Sequence, residues 1–317
     1  MGWNIQRSRL LLTGAELDVF TLLSRNALSA EEVTRKLQGN LRGVTILLDA
    51  LAAMGLLIKK EGRYQTESSA APLLSSDSPD SVLPMVLHAA HLWKTWSRLT
   101  SIVKNEDTDK AEKTERDMDG MKAFIGAMHV VGARTAPQVV AAVNPGEAKK
   151  LIDVGGGSGT YTIAFLNAAP DMKATLFDLP PVIEMARERI EQAGMMDRVT
   201  LVPGNFYEDE LPPGHDLALL SAIIHQNSLE QNQDLYRKVF QALNPGGRIV
   251  IRDHVMSPDR TQPLDGAIFA VNMLVNTEGG GTWTFDEIKD GLTRAGFSRV
   301  KQLQSKGMFS LVEAFKP

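Results

Sequence analysis

Seven residues, Asp153-Val154-Gly155-Gly156-Gly157-Ser158-Gly159, have the types and spacing to hold a nucleoside. They follow the apolar pair Leu151-Ile152 and precede an amphipathic stretch, Tyr161 to Ala168, the strand–turn–helix order with which an open α/β sheet builds a nucleotide crevice. A pyrophosphate cradle asks for G-x-G-x-x-G, but the sixth position from Gly155 is Thr160 and from Gly157 is Thr162. The spacing that fits is D-x-G-x-G-x-G, with Gly155 and Gly157 in the turn and Asp153 before it. A carboxylate there repels phosphate and accepts a hydrogen bond from an ammonium group, which suits S-adenosylmethionine. A second acid, Asp178, ends the stretch Ala174-Thr175-Leu176-Phe177, where the next strand offers a carboxylate to ribose hydroxyls. His225, in Ile223-Ile224-His225-Gln226-Asn227, falls just beyond another expected strand. A phenol, with a pKa of about 10, is a poor nucleophile at neutral pH, and a histidine, with a pKa of about 6.5, can take its proton as a methyl group arrives.

The elements that must position these residues are legible from periodicity. Strands are expected at Lys150–Val154, Ala174–Asp178, Val199–Pro203, Leu217–Ser221 and Arg248–Asp253, with helices between them, including Pro181–Ala193 and Gln231–Leu243. After a helix from Phe285 to Ala295, strands Val300–Leu303 and Phe309–Phe315 flank Ser305-Lys306-Gly307 as a terminal antiparallel hairpin. This is a doubly wound α/β sheet. The first hundred residues differ. A helix is expected over Thr13–Leu23, a capping signal at Ser29-Ala30-Glu31-Glu32 opens a second, and Arg42–Met54 forms a third. Two short strands around Glu61-Gly62 complete a winged helix. Such a unit can read DNA or bind protein; Arg42 is the one cation placed to face bases and Asp49 sits where phosphate would lie, so protein contact is favoured. Ser81–Leu99 reads as a further helix and Lys104–Arg116 as a solvated helix or loop. The expected division is residues 1–95 and 96–317.

Composition narrows the function classes. With 317 residues, 43% hydrophobic and 23% charged, the chain can build two cores, and a net charge of −4 speaks against nucleic acid as a partner. No apolar run reaches the length of about eighteen residues that spans a membrane, and Leu10-Leu11-Leu12 is too short for a secretory signal. Cysteine is absent, which removes disulfides, thiolate nucleophiles and cysteine-bound metals. A cytoplasmic protein is expected. His88, His91, His129 and His254 stand in no recognisable ligand spacing, so no metal is expected.

Taken together the motifs resemble the small-molecule O-methyltransferases: the plant caffeate and flavonoid enzymes, the acetylserotonin enzyme, and bacterial relatives in pigment and antibiotic pathways. The resemblance spans nearly the whole chain, through Asp153 to Gly159, Phe177-Asp178-Leu179-Pro180, Gly204-Asn205-Phe206, His225, Asn244-Pro245-Gly246-Gly247 and Arg294-Ala295-Gly296-Phe297. It implies a class I methyltransferase sheet, Rossmann-like, with a winged-helix dimerisation domain. It also implies a homodimer, S-adenosylmethionine as cofactor, and a small, aromatic hydroxyl compound as substrate. Leu179, Asn205, Phe206 and Ser221 join the expected cofactor contacts, with Asn205 where the family usually has Asp. His225 becomes the general base. The family reads His-Asp-Trp where this chain has His225-Gln226-Asn227, and two acids normally steer the histidine. By register the first falls on Asp253 and the second on Thr282, which carries no charge. Met128, His129, Phe269, Asn272 and Met273 should wall the pocket, with residues from Met85 to Trp96. The altered surroundings of His225 keep N-methylation, decarboxylation or hydroxylation open as alternatives, and a cofactor-sensing winged-helix regulator is a further one.

Overall fold

The computed structural model describes residues 4–105, 118–304 and 309–317. They fall into two compact units, one drawn from Met1–Ser101 and Asp107–Val130 and the other from Ile102–Glu106 and Val131–Pro317. The expected boundary at 95/96 is thus displaced: residues up to Val130 group with the first unit, because the long helix Met118–Val143 runs on without a break at the division. The charged run of residues 106–116 lies outside the described residues, as does the expected hairpin tip at 305–307.

In the first unit the elements run α1 (Asn4–Glu16), α2 (Val19–Arg25), β1 (Leu28–Ser29), α3 (Ala30–Leu37), α4 (Leu41–Ala53), β2 (Leu57–Lys60), β3 (Arg63–Thr66), α5 (Ala71–Leu74), α6 (Leu83–Trp96) and α7 (Leu99–Val103). Thr13–Leu23 is two helices and not one. The chain breaks at Asp18, whose left-handed φ of 50° a short polar side chain tolerates better than most. Ser29 caps α3 in a reciprocal pair with Glu32, as the sequence signal predicts. The hairpin β2–β3 pairs antiparallel around Glu61-Gly62, and β1 adds to its other side. Leu12 is buried, and Leu10 and Leu11 pack against the core built by Phe20, Leu23, Leu48 and Leu51. The leucine run therefore has a core of its own to join.

The second unit takes the C-terminal part of α8 (Met118–Val143) and continues β4 (Lys150–Val154), α9 (Thr160–Ala168), β5 (Lys173–Asp178), α10 (Pro180–Gln192), β6 (Val199–Pro203), β7 (His215–Ser221), α11 (Leu229–Ala242), β8 (Leu243–Asp253), β9 (Val255–Met256), α12 (Leu264–Asn276), β10 (Trp283–Thr284), α13 (Phe285–Arg294), β11 (Ser298–Gln304) and β12 (Ser310–Phe315). Seven strands form one sheet in the order β11-β12-β8-β7-β4-β5-β6. All neighbours from β8 to β6 are parallel, and β12 runs antiparallel between β8 and β11. The terminal hairpin is present, with its second strand inserted rather than added at the edge. Alternation sends Leu151, Leu217, Leu219 and Val250 to one face and Ile152, Ala218, Leu220 and Ile251 to the other, so a separate core forms on each side. Strand order reverses between β4 and β7, and the crevice outside the carboxyl ends of these two strands is where such sheets bind ligands. No helix among the described residues is long and apolar enough to cross a membrane.

Candidate functional site

The glycine turn sits at that switch point. Gly155 has a φ of +68°, and a Cβ there would come within 2.3 Å of Ile223 Cδ1; Gly159, at +79°, caps α9 and would bring a Cβ to 2.9 Å from Ile190. Both positions exclude side chains by backbone conformation and by space. Gly157 differs, since nothing lies within 4 Å of where its Cβ would be. The turn thus closes against the core on one side and leaves open space on the other, the shape a nucleoside needs. Gly157 donates its N–H to Asp178 Oδ2 at 2.8 Å, and Leu179 donates to Oδ1 at 2.7 Å. Burial pushes the Asp178 carboxyl up, against the two N–H groups that favour its charged form. Two fixed carboxylate oxygens keep lone pairs for a ribose diol. The chemistry of this turn therefore fits an adenosyl cofactor.

Asp153 stands elsewhere than its motif role suggests. It is 1% exposed, accepts the Thr162 hydroxyl at 2.7 Å, and lies behind Gly156, where an added Cβ would be 3.0 Å from its Cγ. Burial drives its carboxyl up to about 6. It braces the turn from below instead of reaching over it. Asn205 makes a local turn, its Oδ1 accepting the Tyr207 N–H at 3.1 Å. Phe206 packs on Tyr207 with ring centroids 4.6 Å apart, and Leu179 is exposed. Ser221 ends β7, where Ala222 takes a left-handed φ of 60° and turns the chain away from the sheet.

That turn delivers His225. A single 3₁₀ turn, Ile224–Gln226, carries it, and Asp253 at the end of β8 accepts from its Nδ1 at 2.8 Å. An ionised carboxylate only accepts, so the Nδ1 proton lies on this bond and Nε2 is left as the acceptor. Asp253 is wholly buried; burial alone would raise its carboxyl, but the charge and hydrogen bond of His225 and the N–H of His254 hold it below its ordinary value. The imidazole is 13% exposed and meets the ring of Phe269, from α12, edge-on at 4.8 Å. A histidine with its tautomer fixed by a buried acid and one nitrogen free to accept is arranged as a general base.

Three groups that the sequence reading passed over hold the turn. Asn232 Nδ2 and Trp283 Nε1 both donate to the carbonyl of Ile224, at 2.8 and 2.9 Å, and Gly281 donates its N–H to the carbonyl of His225 at 2.8 Å. Asn227, fully buried, bridges Asn232 at 3.0 Å to the Tyr207 hydroxyl at 2.5 Å. A polar chain thus runs from the segment after β6 to the histidine. Parallel pairing of β10 with β9 brings Trp283 here from thirty residues beyond β8. The capping box Ser228 to Gln231 was the signal available, because it puts Asn232 in the first turn of α11, facing back toward the histidine. Thr282 is buried and offers only its carbonyl, to Arg260, so no second acid stands there.

Of the expected pocket residues, Phe269, Asn272 and Met273 share α12; Met273 is 6% exposed and shows little surface, while Phe269 is half-buried beside the histidine. Met128 and His129 lie on α8 in the part that groups with the first unit.

Comparison with known proteins agrees with this geometry. Residues 104–298 match the O-methyltransferase domain family and residues 4–76 the O-methyltransferase dimerisation domain family. A 3-hydroxy-5-methyl-1-naphthoate 3-O-methyltransferase of Streptomyces sahachiroi is 32% identical over 94% of this chain and 88% of its own length. The tetracenomycin polyketide synthesis 8-O-methyl transferase TcmO of Streptomyces glaucescens is 29% identical over 98% and 93%. Among solved structures, the mitomycin 7-O-methyltransferase MmcR superposes with a TM-score of 0.85 at 26% identity, covering 99% of this chain and 95% of that one. Matches to both the catalytic and the dimerisation domains favour the enzyme over a regulator. The chain therefore belongs to the O-methyltransferase family as an S-adenosylmethionine-dependent enzyme.

Proposed function

We propose that this enzyme methylates a hydroxyl of a small aromatic molecule with His225 as general base. The observation that carries the reading is the 2.8 Å bond from His225 Nδ1 to buried Asp253, which leaves Nε2 able to take a proton. When bound, the cofactor supplies an electrophilic methyl on a sulfonium. Asp178 and Gly157 hold its ribose, Phe206 and Leu179 border its base, and Asp153 keeps the turn in shape. His225 removes the hydroxyl proton as the oxygen attacks, an effect worth about 10²–10⁴ in rate. Asp253 stabilises the imidazolium so formed and stays ionised. Phe269 and Asn272 supply an aromatic and a polar wall for a flat acceptor, with Met273 beside them on α12. Among the described residues one carboxylate steers the base; Asn232, Trp283 and Gly281 compensate by fixing the backbone on which it rides.

The test is methyl transfer from labelled S-adenosylmethionine to a panel of phenols and naphthols. In His225→Ala the rate should fall by about 10²–10⁴, with S-adenosylhomocysteine affinity intact. Full activity in the variant would reduce catalysis to proximity and overturn the base assignment.

We further propose that the first unit is a winged helix serving a homodimer, supported by the dimerisation-domain match and by an apolar groove of about 600 Å³ between α1 and α4, lined by Leu10, Leu17, Leu37, Val44 and Leu47. Sedimentation at micromolar concentration should show the dimer; a monomer removes the proposal. A cysteine-free sequence is compatible with the cytoplasmic location proposed for it, which cell fractionation would check.

A further inference from the structure

Arg252 and Asp253 are neighbours on β8, so their side chains leave opposite faces of the sheet. Asp253 serves the histidine. Arg252 serves nothing yet described. Its side chain lies between the ring of Phe309, 3.8 Å from the guanidinium carbon, and that of Tyr161 at 5.2 Å. Only 3% of the residue is exposed. Of its five N–H donors, Nη1 reaches Ser221 Oγ at a long 3.4 Å, and Nε is buried with no acceptor. The carboxylates closest along the sheet are occupied: Asp253 by His225 and His254, Glu313 by Arg248 and Lys301.

A guanidinium does not lose its proton, and a buried one without an anion is strongly disfavoured unless something completes it. The aromatic rings compensate at its faces. At its edge, where the N–H groups point, the long bond to Ser221 is the one hydrogen bond among the described residues and Nε has none, and that planar fork matches a carboxylate. The place is also informative. Leu220 pairs with Val154, so Ser221 stands beside Gly155 at the mouth of the glycine turn, and Tyr161 is the second residue of α9, which follows that turn.

We propose that Arg252, with Ser221, is a carboxylate-binding subsite beside the cofactor turn. The proposal rests on the methyltransferase reading of the site. Two reactants could bring the group: the amino-acid end of the cofactor, or an acidic acceptor.

Calorimetry on the full chain separates them, using wild type, Arg252→Met and Arg252→Lys. S-adenosylhomocysteine carries the amino-acid carboxylate and 5′-methylthioadenosine lacks it. If the cofactor is the source, Arg252→Met weakens S-adenosylhomocysteine by about 10- to 100-fold and leaves methylthioadenosine nearly unchanged, with Arg252→Lys between. If the acceptor is the source, S-adenosylhomocysteine binds all three proteins alike. Protein saturated with it then loses a preference for 3-hydroxy-2-naphthoate over 2-naphthol in Arg252→Met. Methylthioadenosine binding reports on the cofactor reading separately, so that reading can fail or stand alone. Thermal melting of the ligand-free proteins guards against a folding artefact: a cation awaiting its anion predicts that Arg252→Met melts no lower than wild type. The proposal is overturned if S-adenosylhomocysteine and methylthioadenosine weaken together, if neither carboxylate ligand is discriminated by Arg252, or if Arg252→Met melts well below wild type.

Discussion

The crevice has two sides built in different ways. On the β4–β5 side, the cofactor contacts proposed above come from short stretches of chain: a seven-residue turn and one acid at the next strand's end, joined by the 2.8 Å bond between Gly157 and Asp178. On the β7–β8 side, His225, the proposed base, is held by Asp253, Asn232, Gly281 and Trp283, drawn from a span of more than fifty residues. Local chemistry makes the first side, and tertiary pairing makes the second. Binding of the cofactor and orientation of the base should accordingly be separable by mutation.

The largest expected separation is at Asp178. Asp178→Ala leaves ribose hydroxyls and the Gly157 N–H without their acceptor, a loss of about 1–3 kcal/mol that corresponds to roughly 5- to 150-fold in S-adenosylhomocysteine affinity. Calorimetry should show it, and an unchanged affinity would remove Asp178 from the cofactor side. Next comes Asn232→Leu, which takes one of two donors from the Ile224 carbonyl. Turnover should drop by about tenfold while S-adenosylhomocysteine binds as before. If affinity falls as far as turnover does, the chain from Asn232 through Asn227 to Tyr207 couples the two sides and the separation fails.

The last prediction leaves both turnover and affinity aside, concerns stability and sharpens the role of Asp153. Its carboxyl titrates near 6 when folded and near 3.8 when unfolded, so between those values the folded state holds the extra proton. Stability contributed at low pH is lost as pH rises through that window, by about 3 kcal/mol in all. Asp153→Asn keeps an acceptor for Thr162 and carries no charge. Its melting temperature should exceed that of wild type by a few degrees at pH 7.5, and the gap should close below pH 4. A gap that persists at low pH would mean that the brace works by shape and not by charge.

The glycine turn, Asp178 and the strands around them were legible because each depends on a backbone conformation or an alternation that neighbouring residues dictate. His225 and its partnership with Asp253 were legible through family register. The surroundings of that pair were not. Trp283 reads as an isolated aromatic until β9 and β10 pair, and pairing between segments so far apart leaves no local trace. Asp153 misled for the opposite reason. Its motif position is as expected, but strand alternation turns its side chain toward Thr162 and Leu176, away from the open side of the turn.

The insertion of β12 between β8 and β11 bears on how the enzyme is made. Residues 248–253 of β8, with Arg252 and Asp253 at their end, face β7 on one side and wait on the other for Ser310–Phe315. While the nascent chain emerges, a five-stranded parallel core can assemble with its β8 flank bare: a row of unmet amides backed by Ile249 and Ile251. The strand that carries Asp253 is therefore an edge open to a neighbouring chain on a crowded ribosome, and arrival of β12 both quenches that stickiness and completes the surroundings of Arg252.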